Sequence, residues 1–170
     1  MFELIYYFIP GYLANTVPVF AAKLFPRWNA PMDFGKKWRG KRFFGANKTW
    51  RGFITGTVIA GLAFMLQQSC LPLAGIPYAA LPIWTGFLIG FGVLFGDCVE
   101  SCIKRQLGKP PGSLFFPWDQ IDYTLGAWAL IWWLWWPGWT SFFLLLLINA
   151  LLTNVAHMLG YWLGLCKDRW

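Results

Sequence analysis

Three stretches of the chain, residues 4–22, 52–96 and 123–166, contain no Lys, Arg, Asp or Glu. A helix needs roughly 20 mostly apolar residues to cross the hydrocarbon core of a bilayer. The first stretch is therefore one pass, and each of the others is long enough for two. Helix breakers sit near the middle of both long stretches: Pro72, Gly75, Pro77 and Pro82 in one, Pro137-Gly138 in the other. Proline removes a backbone donor and clashes with the preceding turn, so the chain should stop and reverse there. The pattern predicts an all-α integral membrane protein with five spans, at about 3–22, 52–70, 82–106, 118–136 and 139–166. Residues 1–170 then form one transmembrane bundle and a single domain, with a loop over 23–51.

Composition agrees with that class. With 58% hydrophobic, 21% aromatic and 12% charged residues, the chain is too apolar for a soluble domain of this length. The 23–51 loop carries nine Lys or Arg against the single acid Asp33. If five spans alternate, Lys104, Arg105, Lys109, Lys167 and Arg169 fall on the same side. The positive-inside rule makes that side cytoplasmic and places the protein in the cell membrane. The first apolar segment has no basic n-region and no small-residue cleavage site, so it is read as a span, not as a signal peptide.

Cys70, Cys98, Cys102 and Cys166 form no C-x-x-C pair and have no histidine at zinc spacing, so they read as packing residues. The dense tryptophans between Trp128 and Trp139 read as interfacial anchors beside a turn. No internal repeat of the kind found in inverted-repeat transporters is visible.

Charge returns within the apolar pattern at two places, and intramembrane ionisable groups are functional candidates by default. On a helix through residues 97–105, Asp97, Ser101, Lys104 and Arg105 fall at i, i+4, i+7 and i+8, on one face with Glu100 at its edge. After a Pro/Gly-rich loop, Asp119 and Asp122 share a face at the start of the next span, where a helix N-terminus favours carboxylates. Two helices thus offer acids to a shared point. Hard oxygen ligands without histidine favour Mg²⁺. The alternative is simple pairing of Asp97 and Glu100 with Lys104 and Arg105. Asn47, Lys48, Thr49 and Arg51 precede a long apolar helix, between Gly45 and Gly52, and donors at such a position cradle phosphate. The segment is not a P-loop. Lys36, Lys37, Arg39, Lys41 and Arg42 read either as part of that site or as a patch holding anionic headgroups.

Asp97 to Gly108 reads D-x-x-E-S-x-x-K-R-x-x-G, is preceded by Gly96 and is followed by D-x-x-D at Asp119 and Asp122. This resembles the signature of the CTP-dependent phosphatidate cytidylyltransferases, the CDP-diacylglycerol synthases. Asn47-Lys48-Thr49-Trp50-Arg51-Gly52 resembles their lysine-threonine-tryptophan segment. The short length, Pro31-Met32-Asp33-Phe34-Gly35 and Phe116-Pro117-Trp118-Asp119-Gln120 resemble the archaeal branch, the CDP-archaeol synthases and their bacterial relatives. The Gly-rich segment of the bacterial diacylglycerol branch is replaced here by residues 110–116.

The resemblance implies that a lipid phosphate attacks the α-phosphorus of CTP, pyrophosphate leaves, and a CDP-lipid remains in the bilayer. It assigns Mg²⁺ to Asp97, Asp119, Asp122 and Glu100, and triphosphate contacts to Asn47, Lys48, Thr49, Arg51, Lys104 and Arg105. Ser101 matches the signature serine as a ligand or orienting group. Asp97, Lys104, Asp119 and Asp122 are the expected catalytic set. CTP, a lipid phosphate and the bilayer are the expected partners, and nucleic acid is not. The many Trp and four Cys differ from a heat-adapted archaeal chain, so an ether lipid and a diacyl lipid both stay open. His157, with Asn154 and Tyr161 on one face of the last span, reads as a buried hydrogen-bonded histidine. The rival class is a transporter of an ion or phosphate-bearing substrate, which spreads charge over several helices near the midplane. An alcohol phosphatidyltransferase is disfavoured because its D-G-x-x-A-R motif is missing.

Overall fold

In a computed structural model, the structure describes residues 2–110, 113 and 115–162, without the side chains of 156, 157 and 159–161. Six helices follow one another: α1 (Phe2–Tyr7), α2 (Ile9–Leu24), α3 (Trp50–Ser69), α4 (Thr85–Gln106), α5 (Trp118–Ile131) and α6 (Trp139–Trp162). A two-residue hairpin, β1 (Lys37–Trp38) with β2 (Lys41–Arg42), lies in the loop between α2 and α3. Each expected span thus has a helical counterpart. The first is broken at Phe8, where α1 gives way to α2 with a proline in its first turn, a position that needs no N–H. α5 ends at Ile131, short of the expected 136, because a turn over 132–134 precedes Pro137-Gly138.

The helix ends follow local chemistry. Thr49 caps α3, its hydroxyl accepting from the Gly52 N–H at 3.4 Å, which satisfies one orphan donor of the first turn. At the end of α4 the Lys109 N–H bonds the Lys104 carbonyl at 3.0 Å and the Gly108 N–H bonds Arg105 at 3.1 Å. Gly108 has φ +78°, so these bonds form a Schellman close that wants glycine. The glycine of the K-R-x-x-G pattern is therefore the residue that stops the active helix.

α4 stands at the centre, packed on α2, α3 and α5, with α6 against α5 and α1. Small residues let the helices approach: a Cβ added to Gly90 would lie 2.6 Å from Ala60 Cβ, and one on Gly56 would lie 2.6 Å from the Ala14 carbonyl. Close small-residue seams of this kind drive association where lipid gives no hydrophobic reward. Phe8, Phe64, Ile89, Val93, Ile131 and Leu145 fill the core. Ile54, Val58 and Leu62, at i, i+4 and i+8 of α3, face outward, as a lipid-facing stripe would. Among the described residues α4 alone is both long and apolar enough to cross a membrane, with a mean hydropathy of 1.6. Residues 139–155 of α6 are apolar over a shorter length.

Buried polar groups tie α6 into the bundle. Tyr12 donates to Asn149 Oδ1 at 2.5 Å, and Asn149 Nδ2 donates to Thr124 at 2.8 Å. This chain of bonds satisfies side chains that would otherwise be costly in an apolar interior. The His157 side chain and Cys166 lie outside the described residues; Cys70, Cys98 and Cys102 are free thiols.

Candidate active site

The basic loop between α2 and α3 is folded back on the bundle by backbone bonds at its two ends. Met32 N–H donates to the Lys48 carbonyl at 2.8 Å and Trp50 N–H to the Ala30 carbonyl at 3.0 Å. Its hairpin turns at Arg39-Gly40, both with positive φ, the conformation that matches the twist of a tight hairpin. Lys41 then donates to the Gln106 carbonyl at 2.8 Å, placing a cation on the C-terminus of α4.

Asp33 is the fastener of this loop. Its side chain is fully buried and accepts from the Arg42 guanidinium and from the N–H groups of Gly35, Phe44 and Gly45. Burial alone would raise its carboxyl, but Arg42 and the three N–H groups outweigh burial and hold it at about 2. The bonds to Phe44 and Gly45 fix the loop segment that leads directly into Asn47 and Lys48.

Beneath that segment lies a polar cavity of about 270 Å³. α4 contributes Asp97, Glu100, Ser101, Lys104 and Arg105, α5 contributes Asp119 and Asp122, and the loop contributes Asn47 and Lys48. The one-face spacing on α4 holds because the helix runs unbroken to Gln106. Ligand oxygens of Asp97, Glu100 and Asp122 all come within 4.8 Å of one another. Lys48 pairs with Asp97 across the loop–helix junction. Lys104 bridges the helices, 2.9 Å from Glu100 and 2.5 Å from Asp119.

The structure separates residues that the spacing had grouped. Asp119 lines the same cavity beside Glu100 but is outside the group of three whose oxygens lie within 4.8 Å of one another; it pairs with Lys104 and accepts from the Phe115 N–H at 2.6 Å. Thr49 and Arg51 line, with Asn47, Lys48 and Asp97, an adjoining cavity of about 220 Å³ bounded by α2, α3 and α4. Arg51 is buried and donates to the Phe25 carbonyl at 2.7 Å. Arg105 reaches the polar cavity while donating to the Pro110 carbonyl at 3.0 Å. Asn15 and Tyr123 also line the polar cavity, and the sequence reading did not include them. A polar residue inside the first apolar stretch was the signal for Asn15; Tyr123 follows Asp122 directly.

The family model described as CarS-like, CDP-archaeol synthase, matches residues 1–170. The chain belongs to the CDP-archaeol synthase family. It is 39% identical over 126 residues to the CDP-archaeol synthase of Pyrococcus furiosus, covering 74% of this chain and 71% of that one. To the enzyme of Pyrococcus horikoshii it is 33% identical over 175 residues, covering 100% and 97%. To that of Archaeoglobus fulgidus it is 34% identical, covering 98% and 96%. A solved structure of an intramembrane enzyme for archaeal membrane lipid biosynthesis matches with TM-score 0.67 and 29% identity, over 92% of each chain. Members of the CDP-archaeol synthase family are membrane enzymes, and this chain is a cytidylyltransferase among them. The resemblance carried by the motifs at Lys48 and at residues 97–122 is thereby confirmed over the whole chain.

Proposed function

We propose that the protein transfers CMP from CTP to a membrane lipid phosphate, releasing pyrophosphate and leaving a CDP-lipid in the bilayer. The observation that carries this is one cavity in which Asp97, Glu100 and Asp122 converge beside Lys48, Lys104 and Arg105, in a chain of this family. Acids and bases interleaved in one cavity suit a substrate that brings both phosphate charge and a divalent cation.

The donor set fits Mg²⁺: three carboxylates offer hard oxygens, and among the described residues neither sulfur nor imidazole lines the cavity. Asp97, Glu100 and Asp122 would hold the ion, which when bound neutralises triphosphate charge and polarises the phosphoryl group. Lys48 and Arg105 are placed to hold the β- and γ-phosphates, whose departure as pyrophosphate they favour. Lys104 is held upright by Glu100 and Asp119, so its ammonium meets the α-phosphate preorganised. Ser101, nearly buried in the same wall, orients the carboxylates or the phosphate. No general base is needed, because the attacking lipid phosphate is already ionised. Catalysis is then mostly alignment and charge neutralisation, as in other in-line phosphoryl transfers.

In this reading residues 1–170 form one domain, five helical segments cross the cell membrane, and the site faces the cytoplasm, where CTP is found. The basic loop, pinned over the cavity by Asp33 and Lys41, supports that orientation. The test is purified protein with CTP labelled at the α-phosphate, Mg²⁺, and in parallel an archaeal-type ether lipid phosphate and diacyl phosphatidate. Label in the lipid phase is the expected result, and the lipid that takes it names the natural substrate class. Folded protein that labels neither lipid would overturn the reading.

A further inference from the structure

Five cations crowd the hairpin between α2 and α3, and two of them have inward work. Arg42 is half-buried on Asp33, and Lys41 reaches the Gln106 carbonyl. Lys36, Lys37 and Arg39 are exposed and line neither the polar cavity nor the one adjoining it. Among the described residues none of these three has an ion pair. Lys37 stands directly across the strand pair from Arg42, and like charges so placed repel. Asp33, the one acid of the segment, is buried on the inner side and answers Arg42. The outward charge is left for an anion outside the fold.

We propose that Lys36, Lys37, Trp38 and Arg39 form a docking surface for the headgroups of anionic lipids at the cytoplasmic face of the membrane. The inference rests on the orientation given above. Depth argues for lipid over a partner from water. α4 has 22 residues, about 33 Å at 1.5 Å per residue, close to the roughly 30 Å of a hydrocarbon core. Its C-terminus therefore emerges at headgroup level, and Lys41 ties the hairpin to that end at 2.8 Å. Aromatic rings accompany the charge: Phe34 is 67% and Trp38 50% exposed, as suits a segment seated among headgroups. Basic residues beside a span attract anionic lipid. The surface is also preorganised, which lowers the entropic cost of docking. The Phe43 N–H donates to the Lys36 carbonyl at 3.3 Å, the Trp38 and Phe43 rings lie parallel with centroids 6.2 Å apart, and the Arg39 guanidinium sits 5.2 Å from the Trp38 ring centre. The same loop carries Asn47 and Lys48 to the polar cavity, so headgroups held by the hairpin keep the loop seated over the site.

The test places the full-length protein in mixed micelles holding phosphatidylglycerol and phosphatidylcholine of the same chains in equal amounts, and native mass spectrometry counts the lipids retained. Wild type is expected to keep phosphatidylglycerol over phosphatidylcholine by about threefold or more. Lys36→Gln/Lys37→Gln/Arg39→Gln should lose that preference. Lys23→Gln/Arg27→Gln, which removes two exposed cations outside the hairpin, should retain it. No preference in wild type would overturn the assignment and leave the hairpin to an acidic partner from water. An undiminished preference in the folded triple variant, or an equal loss in the Lys23 and Arg27 control, would overturn it too, because retention would then follow overall charge or the cavity itself. If the triple variant fails to fold, Lys36→Gln/Lys37→Gln, which leaves Arg39 on the Trp38 ring, decides. CMP transfer is read separately. Wild type that prefers phosphatidylglycerol yet labels no lipid from CTP would overturn the proposed reaction and not this surface.

Discussion

Lys104 Nζ lies 2.5 Å from Asp119 Oδ1, an ion pair joining the last turn of α4 to the first turn of α5. The same ammonium is 2.9 Å from Glu100. Replacing it leaves two part-buried carboxylates without their cation. Lys104→Met should lower turnover by about two orders of magnitude or more and cost about 3 kcal/mol of stability. Label transfer and thermal denaturation in detergent check both. Wild-type turnover in the folded variant would remove Lys104 from the site.

The three-acid cluster and Asp119 should separate in their metal dependence. Asp97→Asn and Asp122→Asn remove ligands outright. Each is expected to raise the Mg²⁺ concentration for half-maximal activity at least tenfold, as well as to depress the maximum. Asp119→Asn should lower turnover with a much smaller shift in Mg²⁺ requirement, because its oxygen holds Lys104. A Mg²⁺ titration of all three variants decides it, and an Asp119→Asn shift as large as that of Asp97→Asn would place Asp119 among the ligands.

Much of this site was legible in the chain because helical spacing is rigid. Once residues 97–105 are helical, Asp97, Ser101, Lys104 and Arg105 must share a face, and they do. The breakers at Pro72–Pro82 and Pro137-Gly138 likewise mark where α3 and α5 give way. Long-range relations had no such rule behind them. Asp119 and Asp122 share a helix face, yet only the crossing of α4 and α5 at Gly96 and Gly126 decides which one meets Asp97. Thr49 and Arg51 sit next to Lys48 in sequence, but at the start of α3 they line only the adjoining cavity, which Lys48 and Asp97 share with the polar one. The role of Asp33 depends on a hairpin of two residues per strand and left-handed turn residues, which carry almost no apolar pattern.

Asp33 gives a pH prediction. Its carboxyl titrates at about 2 when folded and near 3.9 in an unfolded chain. A lowered value means that its stabilisation is complete above the unfolded value and is lost as pH falls through the folded one. Asp33→Asn should therefore destabilise the protein by about 2 kcal/mol, by the same amount from pH 8 down to about 5. The gap to wild type should close as pH approaches 2. A gap that varies between pH 6 and 8 would assign the effect to another group.

The α4–α5 crossing tolerates no side chain. A Cβ on Gly92 would lie 2.7 Å from Ala127 Cα, backbone that must move for it. Gly92→Ala is expected to cost about 1–3 kcal/mol, and, by shifting α5, to lower turnover at least tenfold although Gly92 does not line the cavity. Alanine at Gly35, where nothing lies within 4 Å of the added carbon, would act through its positive φ alone and leave the crossing intact. Retained stability and turnover in Gly92→Ala would show that the helices do not pack this closely.

The most direct single measurement follows two labels in one reaction. Purified protein, Mg²⁺ and lipid phosphate are supplied with CTP labelled either at the α- or at the γ-phosphate. Transfer of CMP predicts α-label in the lipid phase, γ-label in pyrophosphate, and both strongly reduced in Asp97→Asn at the same Mg²⁺ concentration. The γ-label in the lipid, or no lipid label from folded wild-type protein, would contradict it.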